Sequence, residues 1–277
     1  MSFNEIVFRG GLGNQLFCLF HAYKVLLKNN QVSLNLTNYS LPIRPDREFV
    51  LVKLFPNITK NFIIKTSYKS YLIFLYSKFI EHFLIKSKSD RIPGDKSFSI
   101  SYWPNCFIHG GYFQKITNSD LDISSLNILK NQMFPFLDQS KSKFLAIHIR
   151  RGDYLNKKHN KHGLINENYL FKESQKLLSK SDFDGIKIFS DSPEMVDLSI
   201  FKNLHKNILI DEGGDPIDVF KRMSNQKGLI ASNSSFSLWA GLLGNIKYFT
   251  IPYFWMKNVK SSILGLDNIP RYKCHLK

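Results

Sequence analysis

Charged and hydrogen-bonding side chains cluster in the middle of the chain, where His148, Arg150, Arg151 and Asp153 lie close together. They follow an apolar run over residues 144–149, which predicts a strand buried on both faces. Because neighbouring side chains of an extended chain point to opposite sides, one or both arginines should face a crevice. A guanidinium group matches phosphate oxygens in a bidentate way and keeps its charge when partly buried. The cluster therefore predicts an anion site, in which Asp153 orients an arginine or takes a proton. A purely structural Arg–Asp ion pair and a core histidine stay open as alternatives.

A second candidate is the run Ser232, Asn233, Ser234 and Ser235, which joins an apolar strand pattern to a helical one. The first turn of a helix has unpaired N–H groups, so this junction could bind a phosphate group. Ordinary N-capping needs only one such side chain, and it remains the alternative. Asp191 follows another predicted strand, over residues 186–189, and could contact a base or ribose or simply form a turn.

A glycine-rich turn near the start of the sequence joins a predicted strand, residues 6–8, to a helix with one apolar stripe. Gly11, Gly13 and Asn14 lie where the helix begins, so the backbone there could approach a ligand closely. The pattern is not an NAD fingerprint, because Leu16 occupies the third glycine position and residues 30–38 contain no acidic side chain.

The elements that must position these residues alternate between short apolar strands and amphipathic helices, which is typical of parallel sheets in α/β proteins. The pattern occurs twice, with a break near residues 132–143. We therefore predict two doubly wound, Rossmann-like domains, residues 1–140 and 141–277, with a cleft between them.

Composition narrows the class of function. The 277 residues are 43% hydrophobic and 22% charged, which excludes a mainly disordered chain. The net charge of +16 is spread over both halves and would attract nucleic acid, anionic lipid or a phosphorylated substrate. Nucleic-acid binding is disfavoured, because no recognised module and no interleaved aromatic platform accompanies the charge.

The sequence also leads to expectations about the location of the protein and about metal binding. The sequence begins without a signal-peptide pattern and contains no uninterrupted apolar span, so a cytoplasmic protein is expected. Residues 71–85 are apolar with lysines around them, and they predict either a buried amphipathic helix or one lying on a membrane surface. The two Asp-x-Asp sequences at 120–122 and 182–184 are too common a pattern to predict a metal site, and we expect none.

These segments together resemble the bacterial α-1,2-fucosyltransferases of glycosyltransferase family 11. The resemblance rests on four segments in order, residues 10–17, 148–154, 188–191 and 230–240, supported by residues 110–114 and 251–253. It covers nearly the whole chain, and the His-x-Arg-Arg-Gly-Asp element is also typical of α-1,6- and protein fucosyltransferases.

The resemblance implies a GT-B-like fold in which the C-terminal domain binds most of the donor, GDP-β-L-fucose, and the N-terminal domain faces the acceptor. It implies inverting, metal-independent transfer to galactose in a glycan, such as a surface-polysaccharide or lipopolysaccharide precursor. Arg150 or Arg151 would carry the donor phosphates, with His148 and Asp153 shaping the same site. Peripheral contact with an anionic membrane would suit such a substrate. A different linkage, or binding of nucleotide and glycan without catalysis, remains an alternative.

Overall fold

The computed structural model describes residues 2–40, 48–84, 97–133, 135, 137, 142–152, 154 and 162–276. The chain divides into two compact units, Met1–Gln132 and Met133–Lys277, called here the N-terminal and C-terminal units. Each unit contains a mainly parallel sheet with helices, so the predicted α/β class with two Rossmann-like units is confirmed. The cleft between the units stays a prediction. No helix in the described ranges is long and apolar enough to cross a bilayer.

The N-terminal unit is built on a five-stranded sheet in the order β3-β2-β1-β5-β4, in which only β4 runs antiparallel to its neighbour. Its strands are β1 Phe3–Val7, β2 Gln31–Asn35, β3 Ile63–Lys65, β4 Phe98–Trp103 and β5 Cys106–Gly110. Its helices are α1 Leu12–Leu26, α2 Thr37–Ser40, α3 Ile58–Asn61, α4 Tyr68–Leu84 and α5 Asp120–Met133.

Strand β1 starts earlier than its apolar residues predicted, because polar side chains at its start find partners inside the sheet. Glu5 is fully buried, and its carboxylate accepts hydrogen bonds from Asn35 Nδ2 at 2.7 Å and Lys65 Nζ at 2.9 Å. A buried carboxylate is tolerated only when it is paired in this way. The strand order reverses between β1 and β5, so the ligand-binding crevice of this sheet is expected at their carboxyl ends.

The C-terminal unit is built on a six-stranded, wholly parallel sheet in the order β13-β10-β9-β6-β7-β8. Its strands are β6 Leu145–Ile149, β7 Ile186–Ser190, β8 Ile208–Ile210, β9 Gly228–Ile230, β10 Tyr248–Pro252 and β13 Arg271–Tyr272, while β11 Phe254–Met256 and β12 Val259–Lys260 form a small hairpin. Its helices are α6 Glu167–Leu178, α7 Pro216–Ser224 and α8 Ser235–Leu243.

The core of the C-terminal unit explains why its strands were the clearest in the sequence. Strand β6 is buried along its whole length, as a central parallel strand covered on both faces must be. Helix α7 begins as predicted, because Asp215 caps it by accepting the Ile217 N–H at 2.7 Å and Pro216 occupies the first turn. The sheet order reverses between β6 and β9, which places the second switch point there.

Candidate functional site

The two polar segments predicted to bind an anion follow neighbouring strands at this second switch point. Arg150 comes directly after β6, and the serine-rich run comes directly after β9. The two strands are paired in parallel, with Ile147 opposite Ile230, so both segments leave the sheet at the same carboxyl edge. Open α/β sheets bind ligands at this position.

The Arg150 side chain is held at this edge by Asp191, which follows β7. Its Nη1 atom lies 3.0 Å from Asp191 Oδ2, and 29% of the arginine side chain is exposed. The guanidinium group also lies 5.5 Å from the centre of the Tyr154 ring. A cation fixed on one side and partly open to solvent is suited to receive a further anion.

The neighbouring Arg151 is arranged differently, because its side chain is buried and has partners within the unit. Its guanidinium donates to the Arg150 carbonyl at 3.1 Å and to the Ile165 carbonyl at 3.0 Å, and it pairs with Glu167 at the start of α6. Its backbone N–H donates to Asp191 Oδ1 at 2.8 Å. The Arg150 side chain is thus the more exposed of the two, at 29% against 8% for Arg151.

The absence of a side chain at Gly152 leaves room for the Asp191 carboxylate. A Cβ atom at this position would lie 2.4 Å from Asp191 Oδ2, closer than any side chain tolerates. The glycine in this segment therefore allows Asp191 to approach the backbone after β6.

His148 is buried in β6 and joins it to the segment after β9. Its Nδ1 atom lies 2.7 Å from Ser232 Oγ, and its ring lies 6.1 Å from that of Phe236. Burial, with a smaller contribution from the charge of Arg150, lowers the pKa of His148 to about 3. The imidazole is therefore neutral at physiological pH, and its contact with Ser232 fixes the relative positions of the two segments.

Three residues of the serine-rich run that follows Ala231 have separate hydrogen-bond partners. Ser232 contacts His148, and Asn233 Nδ2 donates to the His162 carbonyl at 2.8 Å and the Gly163 carbonyl at 3.2 Å. Ser234 caps α8 by accepting the Phe236 N–H at 3.3 Å, while Ser235 is its first helical residue. The N-terminal turn of α8 thus lies at the switch point, with its positive dipole end at the carboxyl edge.

Tyr154 connects the arginine segment to α8, and the sequence reasoning did not single it out. Its hydroxyl donates to the Asn233 carbonyl at 3.0 Å, and its ring stacks on that of His162 at 4.8 Å. Its place beside the charged cluster was the only available signal. Asp153, predicted to be catalytic, lies outside the described residues.

The residues predicted to bind donor in the N-terminal unit lie at its own switch point, after β1. Gly11 is the exposed N-cap of α1, Gly13 is buried, and Asn14 Oδ1 accepts from Gln114 Nε2 at 3.2 Å. Gln114 belongs to the segment after β5, so this contact spans the point where the strand order reverses.

A cavity of about 180 Å³ lies beside the same segment after β5. The His21 and Phe113 rings stack at 3.9 Å, and His21 Nε2 lies 3.1 Å from His109 Nδ1. The cavity is lined by aromatic rings, two lysines and one hydroxyl group, from Phe20, His21, Phe113, Lys24, Lys115 and Ser97.

The described part of the chain places no group of three metal-binding side chains together. Asp122 of the first Asp-x-Asp sequence contacts Lys24 at 2.5 Å and the Thr117 hydroxyl at 2.9 Å. Asp182 and Asp184 of the second precede β7, at the edge of the sheet opposite to the switch point.

Comparison with solved structures finds broad but distant likenesses. The fucosyltransferase NodZ from Bradyrhizobium is 11% identical with a TM-score of 0.46, covering 90% of this chain and 94% of that one. POFUT1 in complex with GDP is 10% identical with a TM-score of 0.47, covering 90% and 98%. The E. coli heptosyltransferase WaaC with ADP is 9% identical with a TM-score of 0.46, covering 98% and 93%.

Comparison of sequences is more informative. An alpha-1,2-colitosyltransferase of Escherichia coli is 28% identical over 255 residues, which is 85% of this chain and 86% of that protein. The model of glycosyl transferase family 11 matches residues 49–260 and so includes the whole arginine segment and the serine-rich run. The chain therefore belongs to glycosyltransferase family 11.

Proposed function

We propose that this enzyme transfers L-fucose from GDP-β-L-fucose to O2 of a galactose residue in a glycan, with inversion and without a metal ion. The observation that carries the proposal is that Arg150 and the segment leading into α8 follow two paired strands, β6 and β9, at one switch point. Asp191 positions the arginine, and Tyr154 links its segment to the residues before the helix. A cationic fork beside a helix N-terminus is suited to a nucleoside diphosphate.

In this reaction the acceptor hydroxyl attacks the anomeric carbon from the face opposite GDP, and the bond to the diphosphate breaks. Negative charge grows on the departing phosphate as the transition state is reached. Arg150 and the N–H groups of α8 stabilise that charge, which is the contribution that a metal supplies in other transferases. Arg151 acts through its neighbours, because its buried guanidinium holds the Arg150 carbonyl and the start of α6.

The proton of the acceptor hydroxyl needs a general base, and Asp153 is our candidate for it. It is the nearest acidic residue in sequence to the proposed phosphate-binding arginine. His148 is excluded as the base because Ser232 contacts its Nδ1 atom within the core of the unit and its ring is buried.

The N-terminal unit is proposed to bind the acceptor, while Gly11, Gly13 and Asn14 let the donor approach the start of α1. The cavity beside Phe113 supports this assignment, because aromatic rings and amines are suited to stacking on and hydrogen bonding to sugars. The donor is a cytosolic nucleotide sugar, so we place the reaction in the cytoplasm, with glycan acceptors of the surface-polysaccharide type.

Colitose is a second candidate for the transferred sugar. The name of the 28% identical relative specifies colitosyl transfer with an alpha-1,2 linkage. Colitose is fucose without its 3-hydroxyl group, so both donors would use the same diphosphate site. The choice between them depends on a contact to that hydroxyl group.

The decisive experiment incubates the protein with GDP-fucose or GDP-colitose and a panel of β-galactosides, followed by mass and linkage analysis. We expect fucose on O2 of galactose, with kcat/KM for GDP-fucose at least tenfold above that for GDP-colitose. Faster transfer from GDP-colitose would assign the second sugar. Fucose on O3, O4 or O6 would refute the linkage, and donor binding without transfer would indicate a non-catalytic protein.

A parallel reaction in excess EDTA tests the metal-free mechanism. Turnover should persist, because the proposed diphosphate site relies on a guanidinium group and helix N–H groups. Complete loss of transfer that manganese restores would overturn this part of the proposal.

A further inference from the structure

Helix α4 has apolar side chains on two opposite faces: one packs on the sheet of the N-terminal unit, and the other carries side chains that are 40–74% exposed. On the inner face, Phe74 is buried in a cluster with Val7, Phe98 and Ile108. Glu81 forms a buried ion pair with Arg9 at the end of β1. The Ser70 carbonyl accepts from Asn35 Nδ2 at 2.7 Å. These contacts fix the rotation of the helix on the sheet.

The outer face carries five large apolar side chains at the spacing i, i+4, i+7, i+8 and i+11, which is one continuous stripe on a helix. We call it the outer stripe. Its members are exposed to unusual degrees for their types: Tyr68 74%, Leu72 48%, Leu75 44%, Tyr76 40% and Phe79 57%. Single exposed apolar residues are ordinary on protein surfaces, but a contiguous row of this kind marks an interaction surface.

Lysines flank the outer stripe. At 100° per residue, Lys69 lies on one side of it and Lys78 on the other. Lys78 keeps 43% of its side chain exposed while it pairs with Glu81. The described segment from residue 48 to residue 84 contains five lysines and two glutamates, and both carboxylate positions lie off the stripe.

We infer that the outer stripe of α4 is a docking surface for an anionic lipid bilayer, on which the helix lies parallel to the membrane plane. The aromatic and aliphatic side chains enter the boundary between headgroups and acyl chains, and the lysines contact anionic headgroups. Tyr68 and Tyr76 each combine an apolar ring with a polar hydroxyl, which suits that boundary.

Charge decides between this occupant and a second copy of the chain. A symmetric dimer through the stripe would place the lysines that flank one copy's stripe near the lysines that flank the other's, and the stripe positions themselves supply no acidic residue to pair with them. An anionic surface neutralises them instead. Docking of this kind goes beyond the proposed transferase activity, and it would bring the enzyme to a membrane-bound glycan acceptor.

The test is co-sedimentation of the full chain with vesicles of phosphatidylcholine alone or of phosphatidylcholine with about 30% anionic phosphatidylglycerol. Wild-type protein should bind the anionic vesicles at low salt. Its binding to the neutral vesicles, or to the anionic vesicles at 0.5 M salt, should be at least tenfold weaker. The double variant Leu72→Gln/Phe79→Gln should lose at least tenfold of that binding. Trp103→Gln, which changes another exposed aromatic residue of the same unit, should bind like wild type.

Two further measurements complete the test. Transfer to a water-soluble acceptor should be unchanged in the double variant, so a failed transferase assignment and a failed docking surface give different results. Absence of binding to anionic vesicles at low salt, or equal binding by the double variant, overturns the inference. So does sedimentation showing that wild-type protein is a dimer without lipid and the double variant a monomer.

Discussion

At the scale of single residues, Arg150 and Arg151 are adjacent in sequence but differ in their partners. Arg150→Lys keeps the positive charge and loses the guanidinium fork. We expect transfer to fall on the order of 100-fold, about 2.7 kcal/mol of transition-state stabilisation, with little change in unfolding midpoint. Steady-state kinetics and urea unfolding measure the two effects.

Arg151→Lys should give a different result, because it removes buried hydrogen bonds to the Ile165 carbonyl and to Glu167. The expected loss is on the order of 2 kcal/mol of unfolding free energy, accompanied by loss of activity. Near-normal turnover in both lysine variants would show that the pair is structural.

A second prediction at this scale concerns Gly152. Gly152→Ala should reduce turnover at least tenfold, because the added methyl group would displace the Asp191 carboxylate that holds Arg150. Gly11→Ala is the companion variant at a glycine proposed to approach the donor: its φ is −77° and an added Cβ meets nothing within 4 Å of the protein, so the fold has room for it. It should cost at most about 1 kcal/mol of stability as an N-cap change.

The same pair of variants also tests the donor site. Loss of donor binding in Gly11→Ala, with the fold intact by circular dichroism, would support close approach of a ligand to α1. Full activity of Gly152→Ala would contradict the proposed positioning of Arg150 by Asp191.

At the scale of elements, Ser234 and Ser235 should contribute differently to stability, because Ser234 is the N-cap of α8 and Ser235 is its first helical residue. Ser234→Ala should lower the unfolding free energy by about 1 kcal/mol, because the Phe236 N–H loses its acceptor. Ser235→Ala, at the first helical position, should change stability by less than half of that. Chemical denaturation of both variants makes the comparison, and equal losses would contradict the capping assignment.

The elements were recoverable from sequence to unequal degrees. Strand β6 and the start of α7 were predicted because one is uniformly apolar and the other has a capping Asp215 followed by Pro216. Strand β2 and the β4–β5 hairpin were not recognised. In β2, Ser33 and Asn35 are fully buried, so polarity hides a strand that is covered on both faces.

The site was predictable to the level of its segments but not of its contacts. The position of the arginine segment and the serine-rich run follows from strand order, which alternating apolar runs indicate. The difference in burial between Arg150 and Arg151 depends on the ion pair of Arg151 with Glu167. Glu167 lies at the start of α6, and no sequence pattern indicated that it would contact Arg151. Residues 71–84 are helical as predicted; among described side chains, the helix packs one apolar face and exposes the other, and its placement on a membrane surface stays a prediction.

At the scale of the whole molecule, buried histidines should make stability depend on pH. Burial, with a smaller effect of Lys28, lowers the pKa of His109 to about 4. Burial, followed by the effect of His109, lowers the pKa of His21 well below its ordinary value. His148 has a pKa of about 3. Each takes up a proton on unfolding below its ordinary pKa near 6.5, so the unfolding free energy should fall as pH drops from 6.5 towards 4.

Urea unfolding at several pH values measures this dependence. Each such histidine contributes at most about 1.4 kcal/mol per pH unit. His148→Asn should reduce the slope between pH 4.5 and 6 by up to one proton, and His82→Asn, at an exposed position, serves as control. An unchanged slope in His148→Asn would contradict a neutral buried imidazole.

The division of the chain also bears on the order in which it folds during synthesis. All five strands of the N-terminal sheet lie within the first 110 residues, and the unit closes at Gln132. It can therefore fold while the ribosome is still making the C-terminal unit, as contiguous domains generally do. The C-terminal sheet has no such advantage, because β6 pairs with β9 about eighty residues later and β13 follows every other strand. A pause in translation after β7 and before β9 would thus leave the edge of β6 that pairs with β9 open, and an open apolar strand edge is prone to aggregation.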